Sequence, residues 1–510
     1  MNVVELFRRQ AVERPDAPAL VAGAGPRRRV ATFRELERSA AAGAGQLRAA
    51  GLRPGDAVLL LVPVSVALYE TLAAVLRAGL VAVILDPSAG RAHVERCCRL
   101  HPPDALVGTP TGHLLRLLMP GLRRIPRRFV VGGWAPGAER WGGGPARPIE
   151  PRTSSDPALL TFTSGTTGVP KAAVRSHGLL AAQHAALSDA LGLAPGQVDL
   201  ATLPVVVLAT LASGVTTVLP DADLRRPGAV DGARLSRQMR AEGVTRMAAS
   251  PALVERLLAD AEPGALRTLA RVDLGGAPVH PRLLARVAAA APQAEAVAVY
   301  GSTEAEPIAH LAGVAAADRA RVAAGEGLPA GRPVDAVDLQ IVPDRGDEPL
   351  GPFGTAEWKA LAVPTGRPGE IVVAGDHVVP GYLGGVGDAA SKVDVDGRRW
   401  HRTGDAGRLG ADGRLWLLGR CSARTRGADG KAIYPLQVEA ALMECLGVRA
   451  AFLTHRGLRT VVVEGEGVSG VADAVPWADV ERVVTLPRLP TDRRHNAKID
   501  LAALRTRLDR

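Results

Sequence analysis

The chain has 510 residues and a mass of 53.0 kDa, enough on a prior of about 150 residues per domain for roughly three domains of folded core. Its 47% hydrophobic and 22% charged residues exclude wholesale disorder, a collagen-like repeat and a coiled coil. The net charge of +10 comes from arginines scattered along the chain, and aromatics make up only 3%, so neither a polyanion-binding run nor a stacking platform for nucleic acid is expected.

Residues 1–10 already carry Glu5, Arg8 and Arg9 and hold no apolar core segment, so they do not read as a secretory signal. The longest apolar stretch, 57–69, is interrupted by Pro63 and falls short of the roughly 18 to 20 residues a membrane span needs. From its start, AVLLLVP from Ala57 reads as a strand, followed by YETLAAVLRAG from Tyr69 as an amphipathic helix and LVAVILDP from Leu80 as a second strand. Cys97, Cys98, Cys421 and Cys445 have no metal-ligand spacing, and reduced thiols in a cytoplasm fit them best. The Gly- and Pro-rich stretch 132–152 reads as a surface loop.

The same alternation returns in VTRMAAS from Val244, ALVERLLADA from Ala252, RVDLGGAP from Arg271, PRLLARVAAAAP from Pro281 and AEAVAVYGS from Ala294. Repeated βα units favour a parallel sheet covered by helices, with the site beyond the carboxyl ends of the strands. From Gly369 the pattern changes to short strands and turns, GEIVVAG, GRRWHRTGDAG and GRLWLLGR, which predicts an antiparallel or barrel-like segment. The last 90 or so residues read as a small mixed unit, with the boundary at 419–423. The expected fold is therefore α/β: a large N-terminal domain (1–419) of parallel βα layers plus a barrel-like segment, then a small α+β domain (420–510).

The strongest chemical feature follows the apolar PALL from Pro157: Thr163, Ser164, Gly165, Thr166, Thr167 and Gly168, then Val169, Pro170 and Lys171. Hydroxyls and glycines let donors converge on a polyphosphate, and the Lys adds positive charge. A P-loop NTPase would place Lys directly after Gly, which Val169 and Pro170 prevent. Only five of the 62 basic residues are Lys, and Lys171 and Lys498 are two of them. A chain that uses Arg by default keeps a Lys where a compact, flexible point charge is wanted.

TSGTTGVPK, with LGGAP at 274–278, YGSTE at 300–304, TGD at 403–405, GR at 419–420 and Lys498 after LPTDRRHNA, resembles in order and spacing the adenylate-forming superfamily of acyl-CoA synthetases, luciferases and peptide-synthetase adenylation domains. The resemblance spans essentially the whole chain. It implies ATP and Mg²⁺, a mobile C-terminal lid, and the following roles. Gly275, Gly276 and Ala277 approach the adenine; Tyr300, Gly301 and Ser302 belong to the nucleotide-binding turn; Thr303 holds the α-phosphate and Glu304 is the Mg²⁺ ligand. Asp405 and Arg420 recognise the ribose, and Lys498 bridges carboxylate and α-phosphate as the catalytic lysine.

ILDPSAG at 84–90, DLRRPGAVD at 223–231, YGSTEAEPIA at 300–309, WHRTGD at 400–405, GRLWLLGR at 413–420 and DRRHNAKI at 492–499 are most similar to the β-lactone synthetases of bacterial olefin and β-lactone biosynthesis. Two departures from the CoA-ligase pattern agree: Val205-Val206-Val207-Leu208 stand where many ligases place an aromatic-His pair, and Ser422 stands at the hinge. The resemblance implies adenylation of a 2-alkyl-3-hydroxy fatty acid, then attack by its own hydroxyl to close a β-lactone. Pathway partners would be a thiolase-like condensing enzyme and a ketoreductase. A CoA ligase or amino-acid-adenylating enzyme, with CoA as a further substrate of the former, and a non-catalytic nucleotide-binding descendant remain alternatives. His177, His401 and His495 lie in motif segments, and none is singled out as the base for the hydroxyl.

Overall fold

Apolar runs bounded by Gly and Pro become buried strands in a computed structural model that describes residues 1–86, 89–164, 170–262, 264–491 and 498–509. Contacts divide the chain into two compact units, Met1–Asp221 with Asp376–Asp388, and Ala222–Gly375 with Ala389–Arg510. Gly165, Thr166, Thr167, Gly168 and His495 fall outside the described residues, as do the side chains of Thr163 and Ser164.

In the first unit, seven strands run in the order Glu139–Arg140, Arg127–Val130, Ala105–Gly108, Ala57–Leu61, Val81–Ile84, Pro157–Ser164 and Pro170–Ser176. Every neighbouring pair is parallel except the last. Ala57–Leu61 is buried at all five positions, the continuous apolar reading that a strand covered on both faces demands. Helix Val66–Arg77 follows it, with Ser65 Oγ accepting from Leu68 N–H as the N-cap. The expected 132–152 loop contains one short exposed strand, Glu139–Arg140, and is otherwise without strand or helix. A second group pairs Val198–Ala201, Thr216–Leu219 and Pro18–Ala22 in parallel, with Arg29–Thr32 antiparallel at its edge.

In the second unit, Arg246–Ala249, Arg271–Leu274 and Glu295–Ser302 are parallel. Helices Pro251–Asp260 and Pro281–Ala290 connect them, and both begin on a Pro, whose missing N–H costs nothing in the first turn. Arg246 and Asp273 form a buried ion pair at 2.9 Å across the first two strands, and Arg271 bonds the second Asp273 oxygen. From Glu295–Ser302 the sheet becomes antiparallel through Ala305–Ala312, Leu328–Pro333, Leu415–Arg420, Arg398–Leu409, Gly369–Ala374 and Asp338–Val342. This is the strand-and-turn region expected from Gly369, and it brings the YGSTE and TGD segments into one sheet.

Residues 420–510 lie within the second unit and hold a sheet of their own, Ala450–His455, Leu458–Glu464 and Arg482–Leu486. Alternation splits its core in two: Ala450, Phe452, Val461 and Val463 pack with helix Pro435–Cys445, while Ala451, Leu453 and Val462 pack with Leu504 of helix Leu501–Leu508. All four cysteines are unpaired. Among the described residues no helix is long and apolar enough to cross a membrane.

Candidate active site

In the first unit the phosphate-loop motif is carried by a hairpin. Strands Pro157–Ser164 and Pro170–Ser176 are antiparallel, with Thr163 opposite Lys171 and Ser164 opposite Pro170. The loop between them thus begins and ends at one place. Arg175, buried on the second strand, donates from Nη1 to Thr161 Oγ1 at 2.6 Å and ties the hairpin together. Lys171 Nζ lies 5.4 Å from the centroid of the Tyr382 ring, a cation–π distance. Tyr382 is brought there by a bridge to Ala173 and by a small apolar cluster with Leu179 and Val379. Gly387 packs so closely that a Cβ would stand 2.5 Å from Lys171 Cε, at a φ of +93° that also favours glycine.

In the second unit Tyr300 lies near the end of Glu295–Ser302, and its hydroxyl donates to Asp405 Oδ2 at 2.9 Å. Asp405 faces Arg420 across the pair Arg398–Leu409 and Leu415–Arg420. Arg420 Nη1 lies 3.2 Å from Asp405 Oδ1 and donates to Thr403 O at 2.8 Å. Thr403 Oγ1 accepts from Asp405 N–H at 3.0 Å and donates to Ile371 O at 2.9 Å. Asp405 is thereby fixed by a phenol, a guanidinium and its own backbone. Burial first, and the Asp405 charge second, push the Tyr300 hydroxyl well above the usual phenol range, so it stays a donor. Arg420 keeps half of its side chain exposed and has further donors to offer.

Turn geometry explains the rest of YGSTE. Ser302 Oγ accepts from the backbone N–H of Glu304 and of Ala305, at 3.3 and 3.2 Å. That side-chain turn ends the strand and leaves Thr303 and Glu304 at its tip, both partly buried. A Cβ on Gly301 would meet Ala305 O at 3.0 Å, so the hairpin closes only around glycine. Gly275 follows strand Arg271–Leu274 and lies against Val299, where a Cβ would stand 3.2 Å from Val299 O. Gly276 has φ +80°, and Ala277 continues the turn.

Lys392 and His401 are both buried on paired strands, with Lys392 Nζ 3.2 Å from His401 Nδ1. Burial first, then the Lys392 charge, push His401 down to about 3, with Glu304 opposing. The same His401 Nδ1 lies 3.1 Å from Ser391 O, so the ring nitrogen sits between an ammonium and a carbonyl. His177 is also structural: its Nδ1 accepts from Val3 N–H at 3.1 Å, and burial pushes it down to about 4.

Glu304 acts electrostatically on both His401 and Arg420. Among the described residues no three His, Cys, Asp or Glu groups form a self-contained metal cage. One carboxylate at a turn tip is the donor set that suits Mg²⁺, which takes one or two carboxylates and completes its shell with substrate phosphates and water. Lys498 is exposed, next to the Thr491–Ile499 bridge and two residues before Asp500 caps helix Leu501–Leu508. Ser422 is exposed on the short turn Cys421–Ala423.

The structure therefore brings Tyr300, Asp405 and Arg420 into one bonded group, places Glu304 within electrostatic reach of it on a turn closed by Ser302, and joins Thr163, Ser164 and Lys171 on one hairpin. Tyr382, Lys392 and the bracing role of the Thr403 hydroxyl were not singled out from the sequence. Tyr382 carried a signal, because the chain has only four Tyr.

The model of the AMP-binding enzyme family matches residues 7–383. The chain belongs to this family. An olefin beta-lactone synthetase of Stenotrophomonas maltophilia (strain K279a) is 33% identical, over 92% of this chain and 89% of that protein. An olefin beta-lactone synthetase of Xanthomonas campestris pv. campestris is 31% identical over 98% of this chain and 96% of that protein. The crystal structure of an anthranilate CoA ligase in complex with anthranoyl-AMP has the same fold, with a TM-score of 0.81 at 18% identity, covering 100% of this chain and 97% of that one. The protein is an adenylate-forming, AMP-releasing ligase of α/β fold.

Proposed function

We propose that this enzyme adenylates a 2-alkyl-3-hydroxy fatty acid and closes it to a β-lactone. The observation that carries this reading is full-length similarity, at 31 and 33% identity, to two olefin beta-lactone synthetases. The four unpaired cysteines support a cytoplasmic location.

In the first step a carboxylate oxygen attacks the α-phosphorus of ATP, the bond to the bridging oxygen breaks, and pyrophosphate leaves. Thr163, Ser164, Gly165, Thr166, Thr167, Gly168 and Lys171 hold the β- and γ-phosphates, Thr303 the α-phosphate, and Glu304 the Mg²⁺. When bound, Mg²⁺ neutralises charge on the phosphate oxygens. Asp405 accepts from the ribose diol while Tyr300 and Arg420 hold it in orientation. Gly275, Gly276 and Ala277 flank the adenine. Lys498, on the lid formed by 420–510, bridges the carboxylate and α-phosphate where negative charge converges.

In the second step the β-hydroxyl oxygen attacks the acyl carbon, loses its proton, and AMP departs with the former acyl–phosphate oxygen. No second substrate is required, and holding the hydroxyl near the acyl carbon supplies the effective concentration that a strained four-membered ring needs.

The test is mass-spectrometric product analysis with ATP, Mg²⁺ and 2-alkyl-3-hydroxy acids, with and without CoA. A product lighter than the acid by one water, formed without CoA and matched by AMP, supports the reading. A CoA-dependent thioester without lactone replaces it with a ligase function.

A further inference from the structure

Ten large hydrophobic residues are exposed among the described residues, and four of them fall between 114 and 134. Leu114, Leu117 and Leu118, exposed by 58, 55 and 62%, lie on helix Pro110–Leu118 at positions i, i+3 and i+4, which places them on one face. The opposite face buries Gly112, His113 and Arg116. Trp134 is the most exposed of the ten at 75%. Its loop is fastened to the same helix at two points: a Cβ on Gly133 would stand 2.9 Å from Pro110 Cγ, and Arg116 Nη2 donates to Pro136 O at 2.5 Å. Scattered single apolar residues on a surface are ordinary; three leucines on one helix face, with an exposed tryptophan on a loop fastened to the same helix, are not.

Charge specifies what the face meets. Residues 105–138 contain five arginines, Arg116, Arg123, Arg124, Arg127 and Arg128, and no Asp or Glu. Arg123 and Arg124 are exposed just beyond the helix, and Arg123 Nη2 donates to Leu117 O, so a cation sits at the end of the leucine face. A short helix with an apolar face, an interfacial Trp and a rim of arginines matches a bilayer surface of anionic lipid, with leucines at the acyl boundary and guanidiniums among the phosphates.

We propose that the helix Pro110–Leu118 and the Trp134 loop form a docking surface for anionic membrane lipid. The surface is independent of the residues assigned to adenylation, and it would bring the enzyme to the phase where long-chain acids partition.

The experiment is co-sedimentation of the full-length chain with vesicles of phosphatidylcholine alone and of phosphatidylcholine mixed with phosphatidylglycerol. Binding to the mixed vesicles should exceed binding to the neutral ones by about tenfold and fall as salt is raised. The double variant Leu117→Ser, Leu118→Ser should lose at least about tenfold, and Arg123→Gln and Arg124→Gln about fivefold each. A vesicle-induced blue shift of tryptophan emission should disappear in Trp134→Phe. Circular dichroism and carboxylate-dependent pyrophosphate exchange should be unchanged in all four. Absence of binding to the mixed vesicles, or equal binding by the leucine variant, overturns the proposal. So does a wild-type dimer that the leucine variant dissolves while vesicles bind neither, because the face then serves a second copy of the chain.

Discussion

Asp405 and Lys171 both serve the nucleotide in the proposed reaction, and they are held by different means. Asp405 accepts from Tyr300, pairs with Arg420 and receives its geometry through Thr403. Lys171 has an aromatic ring beside its ammonium and a glycine against its stem. A diol must be met by acceptors fixed in angle, so the ribose end is braced by hydrogen bonds. A polyphosphate carries its charge on many oxygens, so a compact ammonium meets it better than a planar fork. Fixed acceptors favour recognition of a diol, and a point charge favours a spread of phosphate oxygens.

The sharpest test of that contrast uses the other retained lysine. Lys498→Ala should lower carboxylate-dependent pyrophosphate exchange by about 100- to 1000-fold with an unchanged circular dichroism spectrum, because it removes charge where the transition state gathers it. Exchange at the normal rate would break the assignment. Asp405→Ala comes next and should act mainly on binding: KM for ATP rises by roughly 10- to 100-fold, the worth of about 1.5 to 3 kcal/mol of charged hydrogen bonding, with kcat less affected. If kcat fell alone, Asp405 would not be a recognition group.

Lys171→Met should cost about tenfold in kcat/KM for ATP, and Lys171→Arg should fail to restore it, since a planar fork does not replace a compact ammonium. Full rescue by Arg would show that only charge matters. Tyr300→Phe removes one donor and should raise KM about fivefold, or about 1 kcal/mol. The smallest effect concerns Glu439 in helix Pro435–Cys445, whose carboxyl is pushed up to about 7 by burial against the opposing Phe452 N–H bond. Its folded pKa lies above its unfolded one, so its stabilising contribution is present below about 4.5 and is lost as pH rises through 7. Melting temperature should therefore decline by a few degrees between pH 5 and 8, and Glu439→Gln should flatten that slope.

Much of this was legible because glycine and proline punctuate aliphatic runs. The segments starting at Ala57, Leu80, Val244, Arg271, Ala294 and Gly369 all become strands, and the helices between them begin near a Ser cap or a Pro. The motif residues of YGSTE and TGD were also legible, but their bonding was not. Tyr300 and Asp405 are 105 positions apart, and only the antiparallel order of the three strands between theirs in the sheet determines that a phenol meets a carboxylate. The role of Thr403 was hidden for a related reason: its hydroxyl braces Asp405 through a carbonyl of strand Gly369–Ala374, a partner that no local pattern names. Lys392 carried the signal of scarcity without a motif to interpret it.

The return of Asp376–Asp388 to the first unit has a consequence for how the chain is made. A ribosome releases Met1–Asp221 first, yet the ring that lies beside Lys171 arrives only with Tyr382. At about 5 to 20 residues per second, that delay is on the order of 10 to 30 s. During it the phosphate hairpin exists without one of its neighbours while most of the second unit's sheet is being synthesised. Nascent chains stalled before and after residue 388 should differ in protease resistance within the first unit, and a gene cut at residue 221 should yield an N-terminal fragment that needs the 376–388 segment supplied in trans to become resistant.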